Sequence, residues 1–340
     1  MTSVKQFRID REPTADALGA GSFVFTDAYS VFDWGPMPDA IPRKGASLCT
    51  MGAFNFERLE EAGVPTHYRG VVAENDVGPL STCSNPPTEM AIDLTRVPDL
   101  PHDGREYDYD AYHVAGGGNY LIPLEVVFRN RVPVGSSLRR RTGPPDHGLP
   151  FEAWPEEPVD LEEPIVEFST KYEESDRYLD REEADAIAGR ADVAELESLA
   201  REVNRVVTER ADSRGIVHED GKIECLYADG EIRVADVVGT FDENRFSYEG
   251  QQLSKEVLRQ HHKRVQPDWV DAVERAKTEA ERRDVADWRP LCEIEPEPLN
   301  GDVIDLASEL YAAGTNAYTG EEWFAAPPIE GVVERVRRLG

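Results

Sequence analysis

The sequence predicts an α+β fold. Three observations carry that prediction: short runs of β-branched and aromatic residues between turn signals, longer runs with apolar residues at helical spacing, and 340 residues that are 40% hydrophobic. That length suits two domains or one two-lobed domain.

In chain order, VKQFRI (4–9), a loop ending LGAG, and SFVFTDAYSVFDW (22–34) read as a β-hairpin opening a sheet. Over 45–62, Leu48, Met51, Phe54 and Leu59 fall near one helical face and Gly63 supplies the stop, so a helix covers that sheet. Residues 70–118 are rich in Asp, Pro and Gly with weak periodicity. They read as an acidic insertion ending in a flexible triplet, Gly116, Gly117 and Gly118. The run YLIPLEVVFRN (120–130) has the continuous apolar character of a buried strand. It is expected to begin the second lobe, so that 1–118 form a β-rich N-terminal lobe and 119–340 a larger α/β lobe.

Within 181–210, Leu196, Leu199, Ala200, Val203, Val206 and Val207 mark an amphipathic helix. KIECLY and EIRVADVV flank Ala228-Asp229-Gly230 as a hairpin; a three-residue loop sets Lys222 opposite Asp236 with Glu224 on their face, and a two-residue loop breaks that arrangement. Residues 251–284 read as helical and 285–300 as a Pro-rich connection. VIDLASELYAAGTNAY reads as a final amphipathic helix before a tail beyond 320.

Composition narrows the function. Sixty-seven acidic residues against 37 basic ones give a net charge of −30, which repels nucleic acid and anionic membranes except at a local basic pocket. Acid spread over the whole chain reads as a solvated surface screened by concentrated salt. No apolar run approaches the roughly 20 residues of a membrane span and MTSVKQFRIDREP lacks a signal-like start, so a cytoplasmic protein is expected. Cys49, Cys83, Cys225 and Cys292 stand far apart and read as free thiols; zinc is not expected. Only seven residues are lysine: Lys5, Lys44, Lys171, Lys222, Lys255, Lys263 and Lys277. Lys263 and Lys277, in a charged helical stretch, need no special reason.

Three segments could carry chemistry. In EVVFRNRVPVGSS (125–137), Arg129 and Arg131 share a strand face, and guanidinium forks suit phosphate and carboxylate; an ion-paired strand edge would account for them equally. In EDGKIECLYADGEIRVADVVGTFDENRF (219–246), Lys222, Glu224 and Asp236 could serve a magnesium nucleotide, or form a cross-strand salt bridge. In 26–47, Asp27, Ser30 and Asp33 precede a loop with Lys44, and could be simple turn formers. LGAG and GGG match no phosphate loop.

In order, these segments resemble the phosphoribosylaminoimidazole-succinocarboxamide synthase family from about residue 4 to 320. TDAYSVFDW is similar to that family's SDRISAFD, IPRKG to IPGKG, EVVFRNRVPVGSS to EVVVRNxxxGS, STKYEE to STKAEE, EDGKIEC to ADTKFEFG, DVVGTFDENRF to DEIGTPDSSRF and LSKEVLR to SKQFLR. Lys44, Lys171, Lys222 and Lys255 fall on matched positions, and Lys5 matches the cation of the opening GKVRD strand.

The resemblance implies a two-lobed fold with ATP in the cleft. It also implies a reaction in which ATP activates the carboxylate of carboxyaminoimidazole ribonucleotide for amide formation with L-aspartate, on Mg2+. It implies Glu224 and Asp236 as magnesium ligands, Lys5 and Lys222 beside the nucleotide, and Lys222, Lys171 and Arg245 as catalytic groups. Arg129, Ser136 and Arg245 are implied to hold phosphate and carboxylates, with Asp27, Ser30, Asp33, Lys44, Asp220, Asp242 and Lys255 lining the substrate pocket. The partners are then small molecules, with homo-oligomerisation left open. The chain departs from the pattern at Thr2 and Ser3, where the family has Gly-Lys, at Ala28 and Val237, and around Ser175, Asp176 and Arg177. Another ATP-dependent ligase or transferase on the same scaffold, or a non-catalytic paralogue binding a purine intermediate, stays open.

Overall fold

The computed structural model describes residues 5–74, 76–173, 176–285 and 287–339; Thr2, Ser3 and Ser175 lie outside them. Two antiparallel sheets organise the chain. The first has five strands in the order β1-β2-β5-β3-β4: β1 (Lys5–Arg11), β2 (Gly19–Phe25), β3 (Tyr68–Ala73), β4 (Asp76–Gly78) and β5 (Glu89–Leu94). Helix α1 (Lys44–Glu61) packs across it, burying Leu48, Met51, Phe56 and Leu59. It ends where Gly63 takes a positive φ of 82°, a conformation glycine adopts without strain.

The stretch 70–118 is not without regular structure, since it carries most of β3, all of β4 and all of β5 of the first sheet. β5 sits at the centre of the first sheet, hidden in the sequence because it is short and its flanks are crowded with Pro and Asp. A small hairpin follows, β6 (His102–Asp103) with β7 (Glu106–Tyr107), then α2 (Tyr109–Gly116), N-capped by Asp108. The glycine triplet closes α2, and Gly118 N–H bonds Ala15 O at 2.9 Å. A Cβ on Gly117 would lie 2.8 Å from that of Ala15, so its bareness allows a close approach. The second strand of the opening hairpin stops at Phe25, and 26–43 form a long loop instead.

The second sheet runs β10-β9-β8-β11-β13-β14, with β12 also on β11. Its strands are β8 (Asn119–Val132), β9 (Val159–Thr170), β10 (Tyr178–Leu179), β11 (Ile216–Ala228), β12 (Glu231–Ala235), β13 (Asn244–Tyr248) and β14 (Gln251–Gln252). Strand alternation sorts β8 into two faces. Tyr120, Ile122, Leu124, Val126 and Phe128 are fully buried in the core, where α4 (Arg181–Ala188) and α5 (Val193–Asp212) pack. Glu125, Val127 and Arg129 point the other way. The helical reading of 181–210 resolves into these two helices, broken at Gly189, and α5 buries the expected Leu196, Ala200, Val203 and Val207.

Residues 251–284 likewise divide, into α6 (Glu256–Val265) and α7 (Pro267–Arg283), because Pro267 opens a new helix. Between β8 and β9 lies a short turn of helix, α3 (Leu138–Arg141). The helix over 303–318 is α8 (Gly301–Thr319), but it is not the last. The tail folds as α9 (Ile329–Leu339), burying Ile329, Val332, Val333 and Val336, and packs on α8. No helix among the described residues is long and apolar enough to cross a membrane, and all four cysteines are free.

Candidate active site

Register builds the site. β11 pairs antiparallel with β8 so that Glu224 faces Glu125, Lys222 faces Val127 and Asp220 faces Arg129, all on the face turned away from α5. β13 adds Arg245 opposite Asp220. Two rows result, about 13 Å apart for four residues of strand.

The first row sets two glutamates side by side, which alone would be repulsive. Lysines compensate them. Lys222 Nζ lies 2.6 Å and Lys171 Nζ 3.0 Å from Glu125 Oε1, and Lys171 also pairs with Glu224. Asp236 joins by another route than the one expected. The hairpin turn has two residues, Asp229 and Gly230, both at positive φ, so Glu224 faces Ala235 and β12 ends there. Asp236 leaves the strand at φ 61°, and its carboxylate pairs with Lys5 of β1, which lies buried over the Phe23 ring. Burial, then the charge of Asp236, pushes the Glu224 carboxyl up to about 7. Burial pushes Asp236 the same way, but Lys5 and Lys171 outweigh it and hold that carboxyl to about 2. Glu125 is held low by Lys222 and Lys171 against its burial.

The second row is arginine-rich. Arg245 makes a bidentate pair with Asp220, its Nε at 2.8 Å from Oδ1. Arg129, almost fully buried, donates to Glu167 at 2.7 Å and to Tyr178 OH at 3.2 Å. Arg245 keeps about a third of its side chain exposed, so it has donors to spare.

The loop between β12 and β13 walls a cleft of about 440 Å³ over both rows. Its Asp242 is bound from behind by Lys44, 0% exposed, at 2.7 Å, and by Tyr311 OH at 2.7 Å. Lys255, Arg259, Glu243 and Asp176 complete the rim. Five cations and six carboxylates line this cleft, so it is charge-balanced, where a cationic pocket was expected.

Other sequence candidates lie further out. Asp27 accepts from Gly45 N–H at 2.9 Å and so caps α1. Asp33 is exposed, 2.5 Å from Lys277. Ser30 is half-buried in the 26–43 loop. Ser136 is buried in its turn, accepting from Leu138 N–H at 3.3 Å, while Ser137 lines the cleft. Glu125, Glu243 and Asp176 were not singled out as site residues. The alternation of EVVFR displays Glu125 beside Arg129, a signal sufficient to find it.

A strand face with carboxylates and lysines at one end and arginine forks at the other, on an α+β scaffold, defines an enzyme for anionic substrates. A family model for SAICAR synthetase matches residues 14–276. A protein of Archaeoglobus fulgidus, named as a candidate phosphoribosylaminoimidazole-succinocarboxamide synthase, is 40% identical over all of this chain and 99% of its own. SAICAR synthase from Saccharomyces cerevisiae complexed with SAICAR superimposes with a TM-score of 0.61 at 22% identity, covering 95% of this chain and 94% of that one. A type-2 SAICAR synthetase in complex with ADP does so at 0.52 and 24%, over 76% and 88%. The chain belongs to the SAICAR synthetase family, and is an ATP-dependent carbon–nitrogen ligase.

Proposed function

We propose that this chain joins carboxyaminoimidazole ribonucleotide to L-aspartate with ATP, phosphorylating the substrate carboxylate at the Glu125–Glu224–Lys171–Lys222 row while the arginine row holds the ribonucleotide. The observation that carries the reading is the spacing of the two rows on one rigid sheet face, about 13 Å. It suits an intermediate with phosphate at one end and carboxylate at the other.

A carboxylate resists attack by an amine until one oxygen becomes a phosphate leaving group. That oxygen attacks the γ-phosphorus and ADP departs. The amine, as its free base, then attacks the carbonyl carbon, the C–N bond forms, the C–O bond to phosphate breaks, and inorganic phosphate leaves with the electron pair and takes up the proton that the nitrogen loses. Lys222, about 31% exposed on its side chain, reaches the reacting carboxylate and offsets charge growing on it. Lys171 keeps Glu125 and Glu224 in place. Arg245, with Arg129 behind it, binds the phosphate end, and Asp242, Lys255 and Asp220 shape the pocket between; Lys44 acts through Asp242.

ATP lies between residues 1–118 and 119–340 in this proposal. Phe7 and Ile9 are exposed on β1 at two-residue steps from Lys5, and with Leu94 and Val97 they line an apolar groove for the base. Lys5 then stands where the phosphates pass. Glu224 and Asp236 fit a magnesium ion: two buried carboxylates repel each other there, and oxygen donors suit a hard cation. Among the described residues no group of three His, Cys, Asp or Glu is placed to hold a metal ion, so Glu224 and Asp236 would hold magnesium only together with the nucleotide's phosphate oxygens. When bound, the ion neutralises phosphate charge, consistent with a cleft that is not itself cationic.

The working compartment is a salt-rich cytoplasm. The test is release of ADP and of the succinocarboxamide product in high salt, with and without L-aspartate, repeated for Glu224→Ala. Aspartate-dependent turnover lost in the variant supports the ligase. Turnover indifferent to aspartate would point to another ATP-dependent transferase, and its absence in wild type to a binding paralogue.

A further inference from the structure

His218 of β11 is a buried titratable group that the reaction above does not use. Its ring lies stacked on Phe246 and edge-on to Phe128. Burial pushes its pKa down to about 4, so near neutral pH the ring is uncharged and one nitrogen alone carries a proton. The hydrogen bonds around it fix which one. Gly239 N–H donates to Asn244 Oδ1 at 3.0 Å, which turns the Asn244 amide nitrogen toward His218 Nε2, 2.8 Å away. Nε2 must therefore accept. The proton stands on Nδ1, which donates to Thr208 Oγ1 at 2.8 Å. Thr208 in turn donates to Asn204 Oδ1 at 3.4 Å, and Asn204 and Asn130 form a reciprocal amide pair at 2.7 and 2.9 Å. Asn130 also donates to His218 O at 3.2 Å.

Donation thus runs one way, from the loop that walls the cleft, across β11, to α5. That loop carries Asp242 and Glu243, both on the cleft, and Glu243 lies 3.5 Å from Lys222. Asn244 closes it, its N–H on Thr240 O at 2.8 Å. The Asn244 amide lies so close over β11 that a Cβ on Gly221 would collide with it, so the residue between Asp220 and Lys222 is bare to admit this side chain. From the other side Asn55 of α1 donates to Gly239 O at 3.0 Å and accepts from Tyr318 OH at 2.7 Å. We infer that His218 is a positioning residue of the ligation: as an acceptor at Nε2 it fixes the Asn244 amide, and through it the place of Asp242 and Glu243 over the two rows. The inference rests on the ligase reading. It gives the two ring nitrogens different tasks, since Nε2 serves the loop and Nδ1 anchors the ring to α5.

The test compares two substitutions and reads one spectrum. His218→Gln puts an amide oxygen where Nε2 stands and His218→Asn puts one where Nδ1 stands, so each keeps one of the two bonds in the same buried site. The expected result is a kcat lowered about tenfold or more in His218→Asn, the scale of a small misplacement at a reacting centre, but within about threefold in His218→Gln, with KM for ATP within about twofold in both. Thermal unfolding of the two variants gives the control. Equal losses of kcat, or losses that merely follow the losses of Tm, would mark a structural role and overturn the inference. Long-range 1H–15N spectra of the wild type labelled at histidine should show His218, the signal missing from either variant, protonated at Nδ1 with Nε2 bare; a proton on Nε2 overturns the inference whatever the variants do. Wild-type turnover that ignores aspartate would sink the ligase reading, and with it the reaction His218 is inferred to serve, even with the Nδ1–H form observed.

Discussion

The two ends of the cleft hold similar numbers of charges and handle them differently. At the arginine end, Asp220 is clasped by Arg245 through two parallel hydrogen bonds and flanked by Arg129 at 3.5 Å, so every group there is matched by a rigid planar partner. At the lysine end, Glu125, Glu224 and Asp236 are buried together and compensated by point charges on flexible stems, and Glu224 is left with a carboxyl pushed up to about 7. One end is settled before any substrate arrives. The other is poised for a cation and a phosphate, and the difference separates holding from chemistry.

The largest effects should follow at the lysine end. Glu224→Gln should lower kcat by about 10³-fold or more, the scale of losing a group that organises charge in the transition state. The same change should stabilise the ligand-free protein in mild alkali. Because the folded pKa of Glu224 lies above its unfolded one, the carboxyl is harmless in acid below about 4 and penalises folding increasingly until the pH passes about 7. Thermal unfolding should therefore show the variant ahead of wild type at pH 8 and level with it near pH 4. A variant less stable at pH 8 would contradict the strained description of this end.

Next is Lys44→Met, which leaves Asp242 buried without its cation and should cost about 3–5 kcal/mol by denaturant unfolding. Tyr311 alone compensating fully would show that α8 and not α1 holds the loop. Smaller again is Arg245→Lys, which replaces a fork by a point charge. It should raise KM for the ribonucleotide about tenfold with kcat within a few-fold; an equal fall in kcat would erase the distinction between the ends. Least specific is salt: thermal stability should rise steadily from dilute buffer to molar salt, since screening relieves a −30 chain. No dependence would remove the salt-rich compartment.

The sequence displayed the site better than the path to it. Strand alternation put Lys222 and Glu224 on one face and the resemblance added Arg129, Asp220 and Arg245, while the pairing of β8 with β11 that brings Glu125 against Glu224 shows only in the structure. The turn between β11 and β12 was harder, because Ala228-Asp229-Gly230 fits two loop lengths and one residue decides where Asp236 goes. Lys44 was visible as a rare lysine, but its union with Asp242 spans 198 positions and no local pattern encodes it. β5 was concealed by its flanks. α9 was overlooked although Ile329, Val332, Val333 and Val336 carry helical spacing, since a charged tail resembles a solvated one. Lys277, set aside as one cation in a charged helix, bridges to Asp33 across 244 positions and acquires its meaning only in three dimensions.

The most direct test of the central claim, that the lysine end activates a carboxylate as its phosphate, uses carboxyaminoimidazole ribonucleotide labelled with 18O in the carboxylate. After turnover with ATP and L-aspartate, one labelled oxygen should appear in inorganic phosphate and one remain in the amide product. Unlabelled phosphate would mean that the carboxylate oxygen never bonds to phosphorus, and the account of this site would be wrong.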